Sequence, residues 1–79
     1  MDEVPTILLV DDEVAHLKTL ERVFTKEGYD VLTATGGESA LDVIRERSVH
    51  LVITDLMMPD FDGIDLLKLV RTLRPETET

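Results

Sequence analysis

The residues best equipped for chemistry in this sequence are three aspartates that each close an aliphatic run. Asp11 and Asp12 follow Ile7-Leu8-Leu9-Val10, and Asp55 follows Leu51-Val52-Ile53-Thr54. If both runs are neighbouring strands, the three carboxylates meet at one end of the sheet. Carboxylates that close repel one another, which raises at least one pKa unless a cation relieves them. A hard divalent ion with oxygen ligands does so, and Mg²⁺ fits best because it takes one or two carboxylates and keeps waters for the remainder. A strand-end aspartate can also be a nucleophile, since aspartyl phosphate is a covalent intermediate of phosphoryl transfer. The plainer account is that Asp11-Asp12-Glu13 caps the following helix and that Asp55 merely ends a strand. Their joint placement is what speaks against it.

The elements that must position these residues read clearly. Neither aliphatic run alternates with polar residues, as expected of parallel strands covered by helices on both faces. From Val14 the spacing becomes helical, with Val14, Leu17, Leu20, Val23 and Phe24 on one side, and Gly28 supplies the stop. Tyr29–Ala34 is a second, β-branched strand, and Thr35-Gly36-Gly37 turns into a helix over about Glu38–Arg47. That helix buries Ala40, Leu41 and Ile44, a narrower stripe than the first helix offers, so the sequence predicts that it is the less firmly held. Leu51–Thr54 is the third strand. Leu56 to Gly63 reads as a loop broken by Pro59 and Gly63, before a helix from about Ile64 to Leu73 that Pro75 stops. The alternation predicts an α/β layered fold with right-handed crossovers. Residues 6–74 form its core, and 75–79 are a polar tail that reads as coil leaving the domain.

Composition narrows the functional classes. The 79 residues suffice for one small domain, and 17 Asp+Glu against 8 Lys+Arg leave a net charge of −9. Such a chain repels phosphate backbones and anionic membranes, so neither nucleic acid nor a membrane is expected as a direct partner. Zero cysteines exclude disulfides, thiolate zinc sites and thiol catalysis. Met1-Asp2-Glu3 offers no basic start to a secretory signal, which makes the cytoplasm the expected location.

Taken together, Ile7-Leu8-Leu9-Val10-Asp11-Asp12-Glu13 and Ile53-Thr54-Asp55-Leu56-Met57-Met58-Pro59-Asp60-Phe61-Asp62-Gly63 resemble the receiver domain of two-component response regulators. The match combines an acid pair, an aspartate with Met-Pro shortly after it, and a glycine further on, each on the right element. The resemblance implies a doubly wound, flavodoxin-like parallel sheet, of which this chain carries three strands in order 2-1-3 with three helices. It further implies that Asp55 accepts a phosphoryl group from a histidine kinase or phosphotransfer protein. Asp12 would bind Mg²⁺ directly, Asp11 would help through water, and the Met57 carbonyl would complete the protein ligands, while Pro59 and Gly63 shape the loop. Such a module signals rather than turning over a substrate.

Full receivers run to about 120 residues, a usual domain size, and their fourth and fifth strands are not in this sequence. The family's phosphate-contacting Ser/Thr, its switch aromatic and its Lys therefore have no counterpart here; Lys68, Thr72, Thr77 and Thr79 lie on the third helix or the tail. In this respect the chain looks truncated. The third strand is then expected to be a bare aliphatic edge and to promote self-association, as a homodimer or larger. The alternative function is a signalling-incompetent fragment that works through that edge.

Other readings fail on particular residues. An EF-hand frame with Gly63 at its sixth position puts Met58 first and Leu69 last, neither a calcium ligand. A haloacid-dehalogenase phosphatase wants a second aspartate where Met57 stands. Met57 and Met58 are expected to pack rather than bind a hard cation. Gly36-Gly37 lacks the lysine of a phosphate-binding loop and is a turn. His16 and His50 are read as surface or boundary histidines away from the acids.

Overall fold

In the computed structural model, which describes residues 4–58 and 61–79, the chain runs β1 (Thr6–Val10), α1 (Val14–Lys26), β2 (Asp30–Ala34), α2 (Gly37–Glu46), β3 (Leu51–Thr54), β4 (Met57–Met58), β5 (Phe61–Asp62) and α3 (Gly63–Leu73). The three longer strands form a parallel sheet in the order β2-β1-β3, with Val10 opposite both Ala34 and Thr54. All of β1 is buried, as its uninterrupted aliphatic run requires at the centre of a covered sheet.

The sheet divides its side chains by parity. Leu8, Val10 and Val52 join Ala40, Leu41, Ile44, Leu66 and Val70 in the larger core beneath α2 and α3. Ile7, Leu9 and Leu17 form the smaller one beneath α1, with Leu20, Phe24, Val31 and Leu51 packed against them. This reverses the expected ranking of the helices. α2 buries Gly37, Ala40, Leu41 and Ile44, whereas among α1 residues Leu17 is the buried one. The reason is what lies opposite: α2 meets both the sheet and α3, while α1 covers its face of the sheet beside an open flank where Ile53 is exposed.

α1 stops as its sequence demands. Gly28 adopts φ +99°, its N–H donates to the Thr25 carbonyl, and the Tyr29 N–H reaches back to Phe24. This is a Schellman motif, closed by the edge-to-face contact of Phe24 and Tyr29 with ring centres 6.1 Å apart.

Two expectations change at the C-terminal half. Part of the Leu56–Gly63 loop is ordered as the antiparallel pair β4 and β5, in which Met57 pairs with Asp62 and Met58 with Phe61. Pro59 lies outside the described residues. Met58 packs into the larger core, as expected of it. The tail also does not leave the domain. Its Thr77 is buried and donates its hydroxyl to the Val49 carbonyl at 2.7 Å. The Glu78 carbonyl accepts the Val52 N–H at 2.8 Å, and its own N–H donates to His50 at 2.9 Å, making a parallel bridge to Leu51. Arg74 secures the approach, donating Nε to the Ile44 carbonyl and a terminal nitrogen to that of Arg45, which cap the end of α2. The first half of the β3 edge is therefore occupied, because unpaired strand groups there offer the tail partners that outweigh its polar character. No described helix is long and apolar enough to cross a membrane.

Candidate metal and acceptor site

The ladder hydrogen bonds run past the ends of the strands and carry the aspartates with them. The Asp11 N–H donates to Ala34 at 3.1 Å, and the Asp55 N–H to Val10 at 2.9 Å. Asp11 and Asp55 thus stand at the same end of adjacent parallel strands, the end where open α/β sheets hold their ligands. Asp12 completes the group: Asp11, Asp12 and Asp55 each offer a carboxylate oxygen, all within 4.8 Å of one another. Asp11 and Asp55 are half-buried and Asp12 is exposed. A shallow cleft of about 220 Å³ opens beside them between α1 and β3, walled by Leu17, Leu20, Ile53 and Thr54.

The acids are held unequally. Asp11 Oδ1 accepts the Glu13 N–H at 2.9 Å, a turn that leads into α1, and Oδ2 lies 3.3 Å from His16 Nδ1. The Glu13 hydrogen bond holds the Asp11 carboxyl below its ordinary pKa despite some desolvation, and His16 adds to the lowering. Asp12 moves the other way. Partial desolvation raises it, its own backbone N–H opposes that, and the adjacent Asp11 and Asp55 push it up further. An acid group raised by desolvation and, to a lesser degree, by acidic neighbours is one that a hard cation would relieve, and the all-oxygen donor set fits Mg²⁺ rather than a softer metal. The capping account of Asp11 and Asp12 finds limited support: the helix N-cap is Glu13, without a side-chain cap bond.

Backbone geometry positions the remaining residues named from the sequence. Met57 follows Asp55 by two and is tied to Asp62 in the β4–β5 pair. The Asp62 side chain caps α3, accepting the Ile64 N–H at 2.8 Å. Gly63 is buried, donates its N–H to the Leu56 carbonyl at 3.1 Å, and passes against the main chain of Asp55 and Leu56. A Cβ there would lie 2.6 Å from Leu56 Cα and closer still to the Asp55 carbonyl oxygen. The glycine thus permits α3 to start directly against the turn that follows Asp55.

His16 corrects the sequence reading. It sits at the site, not away from it, because it is the third residue of α1 and helical side chains lean toward the N-terminus. Its spacing of five from Asp11 and three from Glu13 was the available signal. His50 is indeed a boundary residue at the far end of β3, where its Nδ1 accepts the Thr6 N–H at 2.9 Å.

Comparison with known proteins shows which family and fold the chain resembles. A family model described as the response regulator receiver domain matches residues 7–79. The transcriptional regulatory protein ZraR of Escherichia coli O157:H7 is 41% identical over 69 residues, covering 87% of this chain and 16% of that protein. The sporulation initiation phosphotransferase F of Bacillus subtilis is 39% identical over 67 residues, covering 85% of this chain and 54% of that one. A receiver domain of Methanospirillum hungatei superposes with a TM-score of 0.92 at 32% identity, covering 95% of this chain and 60% of the other. The chain therefore spans little more than half the length of these proteins, or less.

Proposed function

This chain belongs to the response-regulator receiver domains, and on that premise we propose that it is a phosphoacceptor whose acceptor is Asp55. The observation that carries the reading is the convergence of Asp11, Asp12 and Asp55 oxygens within 4.8 Å at the ligand-binding end of the sheet. Receiver domains are signalling modules, and the donor we infer is the phosphohistidine of a kinase or phosphotransfer protein. An Asp55 carboxylate oxygen attacks phosphorus, and the phosphorus–nitrogen bond of the donor breaks. The electron pair returns to the donor imidazole, which takes up a proton, and an acyl phosphate is left on Asp55.

Asp12, Asp55 and the Met57 carbonyl would hold Mg²⁺, with Asp11 acting through water. The ion would neutralise charge on the phosphoryl oxygens during transfer. The chain's own contribution is positional. β1 and β3 hold Asp11 and Asp55 at fixed spacing, and Gly63 lets the following turn fold tightly behind the acceptor. With a net charge of −9, the chain depends on that cation to admit a phosphate-bearing donor. We place it in the cytoplasm, where such donors are made.

The test is intact mass after incubation with Mg²⁺ and acetyl phosphate. Wild type should gain one phosphoryl group, and Asp55→Asn none; gain by both would contradict the assignment. A second copy of the chain ranks behind the kinase as a partner. Pairing through β3 must first displace Glu78 from Val52, which weakens the reading of this chain as a fragment acting through a bare edge. Light scattering at high concentration tests it, and a monomer there removes it.

A further inference from the structure

α1 and α2 each carry a charged stripe on the side turned away from the sheet, and the two stripes have opposite sign. On α1 it is Lys18, Arg22 and Lys26, and on α2 it is Glu38, Asp42 and Glu46, all of them exposed. Within each stripe the residues stand four apart, so they line up along one side of the helix over about two turns. Among the described residues the salt bridges belong to His16, Arg45 and Arg47, and none of the three α1 cations takes part in one. Within the α2 stripe, Asp42 pairs with Arg45 of its own helix at 3.7 Å.

The topology places these stripes back to back. α1 packs on one face of the sheet and α2 on the other. Each helix returns the chain between strands that run parallel, so both helices run against the strands and point the same way. We propose that the chain stacks face to face on copies of itself, α1 of one copy lying on α2 of the next. A shift along the sheet normal brings the stripes together with their helices parallel, setting Lys18 toward Glu38, Arg22 toward Asp42 and Lys26 toward Glu46 of the neighbouring copy. The contact joins two different patches, so it extends as an open series instead of closing as a dimer. The carboxyl end of each sheet lies at right angles to the stacking direction and stays accessible, which makes the inference independent of the acceptor assignment.

Exposed ion pairs contribute little each, so the association is weak, with a Kd of about 1 mM. The centres of stacked copies lie farther apart than the smallest extent of the chain, 17 Å. That exceeds the Debye length, which is about 10 Å in about 0.1 M salt. Repulsion between the net charges of −9 is therefore screened more than the attraction between stripes in contact.

Sedimentation equilibrium at concentrations up to that Kd tests this in four chains. One reverses α1 (Lys18→Glu, Arg22→Glu, Lys26→Glu) and becomes more negative, one reverses α2 (Glu38→Lys, Asp42→Lys, Glu46→Lys) and becomes less so, and the combined variant returns to −9 with the stripes exchanged. Wild type should associate. Its association constant should fall at least about tenfold in either single reversal, because like charges then face each other, and return to the wild-type value in the combined variant. It should also fall in about 1 M salt, where the Debye length is about 3 Å. A monomeric wild type overturns the proposal, as does a combined variant that fails to recover. Stronger association of the α2 reversal would make net charge the governing quantity and overturns it too. Association that ignores both stripes belongs to another surface, such as the β3 edge, and counts equally against it. Circular dichroism melts should show all four chains folded, since every exchanged side chain is exposed. Where a reversal melts early, alanine at the same positions takes its place, and an undiminished association constant there overturns the proposal.

Discussion

Gly63 lies so close to Leu56 that a methyl group on it would stand 2.6 Å from the Leu56 Cα, with the Asp55 carbonyl oxygen nearer still. Both neighbours are main chain and cannot rotate away. Gly63→Ala should therefore cost about 1–3 kcal/mol, the range for forced overpacking, read as a lower urea midpoint. If Asp55 is the acceptor, its phosphorylation should also slow, because the turn that follows it has to shift. Unchanged stability would mean that α3 can slide away from the turn.

Gly28 makes the opposite prediction from the same residue type. Its φ of +99° is the constraint, and a Cβ there would meet nothing within 4 Å. Gly28→Ala should destabilise by about 1 kcal/mol through backbone conformation alone. Gly28→Asn should cost less, and phosphorylation should be unaffected by either.

Asp12 sets a pH dependence of known sign. Its carboxyl is raised in the folded chain, so the metal-free protein loses the corresponding stability as pH rises through that raised value. Asp11 is lowered, and its contribution is present above the unfolded value and lost as pH falls through the folded one. Asp12→Asn removes the first effect and leaves the main cause of the second, the Glu13 hydrogen bond to Asp11. Thermal melts in a chelator should show this variant more stable than wild type above the Asp12 titration. The same variant should lose the stabilisation that Mg²⁺ gives wild type. A variant less stable than wild type in the chelator would contradict the repulsion inferred here.

The tail should contribute measurably. Thr77→Val keeps the shape but removes the hydroxyl that reaches Val49, which leaves a buried carbonyl unpaired and should cost about 1 kcal/mol. Deleting residues 77–79 should cost more and expose the N–H of Val52, making association through β3 easier to detect by light scattering. Equal urea midpoints for all three chains would show that the tail is not docked in solution.

Much of this arrangement was legible in the sequence for a physical reason. An aliphatic run without alternation can be stable only as a covered strand, so the acids that end two such runs had to meet once those strands were neighbours. The start of α1 at Val14 followed from the same patterns, whereas the strand order 2-1-3 came from the resemblance to receiver domains. What the sequence hid depends on contacts between distant residues. Thr77 and Glu78 are polar and read as coil, yet backbone groups of Val49, His50 and Val52, in β3 and just before it, capture them. The β4–β5 pair is too short to show a period. The burial of α1 against α2 depends on what each helix faces, which its own stripe does not record. His16 was misplaced because its neighbours in space lie before the helix that carries it.

The most direct test of the central claim is to trap the acyl phosphate itself. After reaction with acetyl phosphate and Mg²⁺, borohydride reduces an aspartyl phosphate to homoserine, and peptide mass mapping locates the change. The account predicts homoserine at position 55, dependent on Mg²⁺ and lost in Asp12→Asn. Reduction at Asp11 or Asp12 instead, or modification at 55 that ignores the metal, would contradict it.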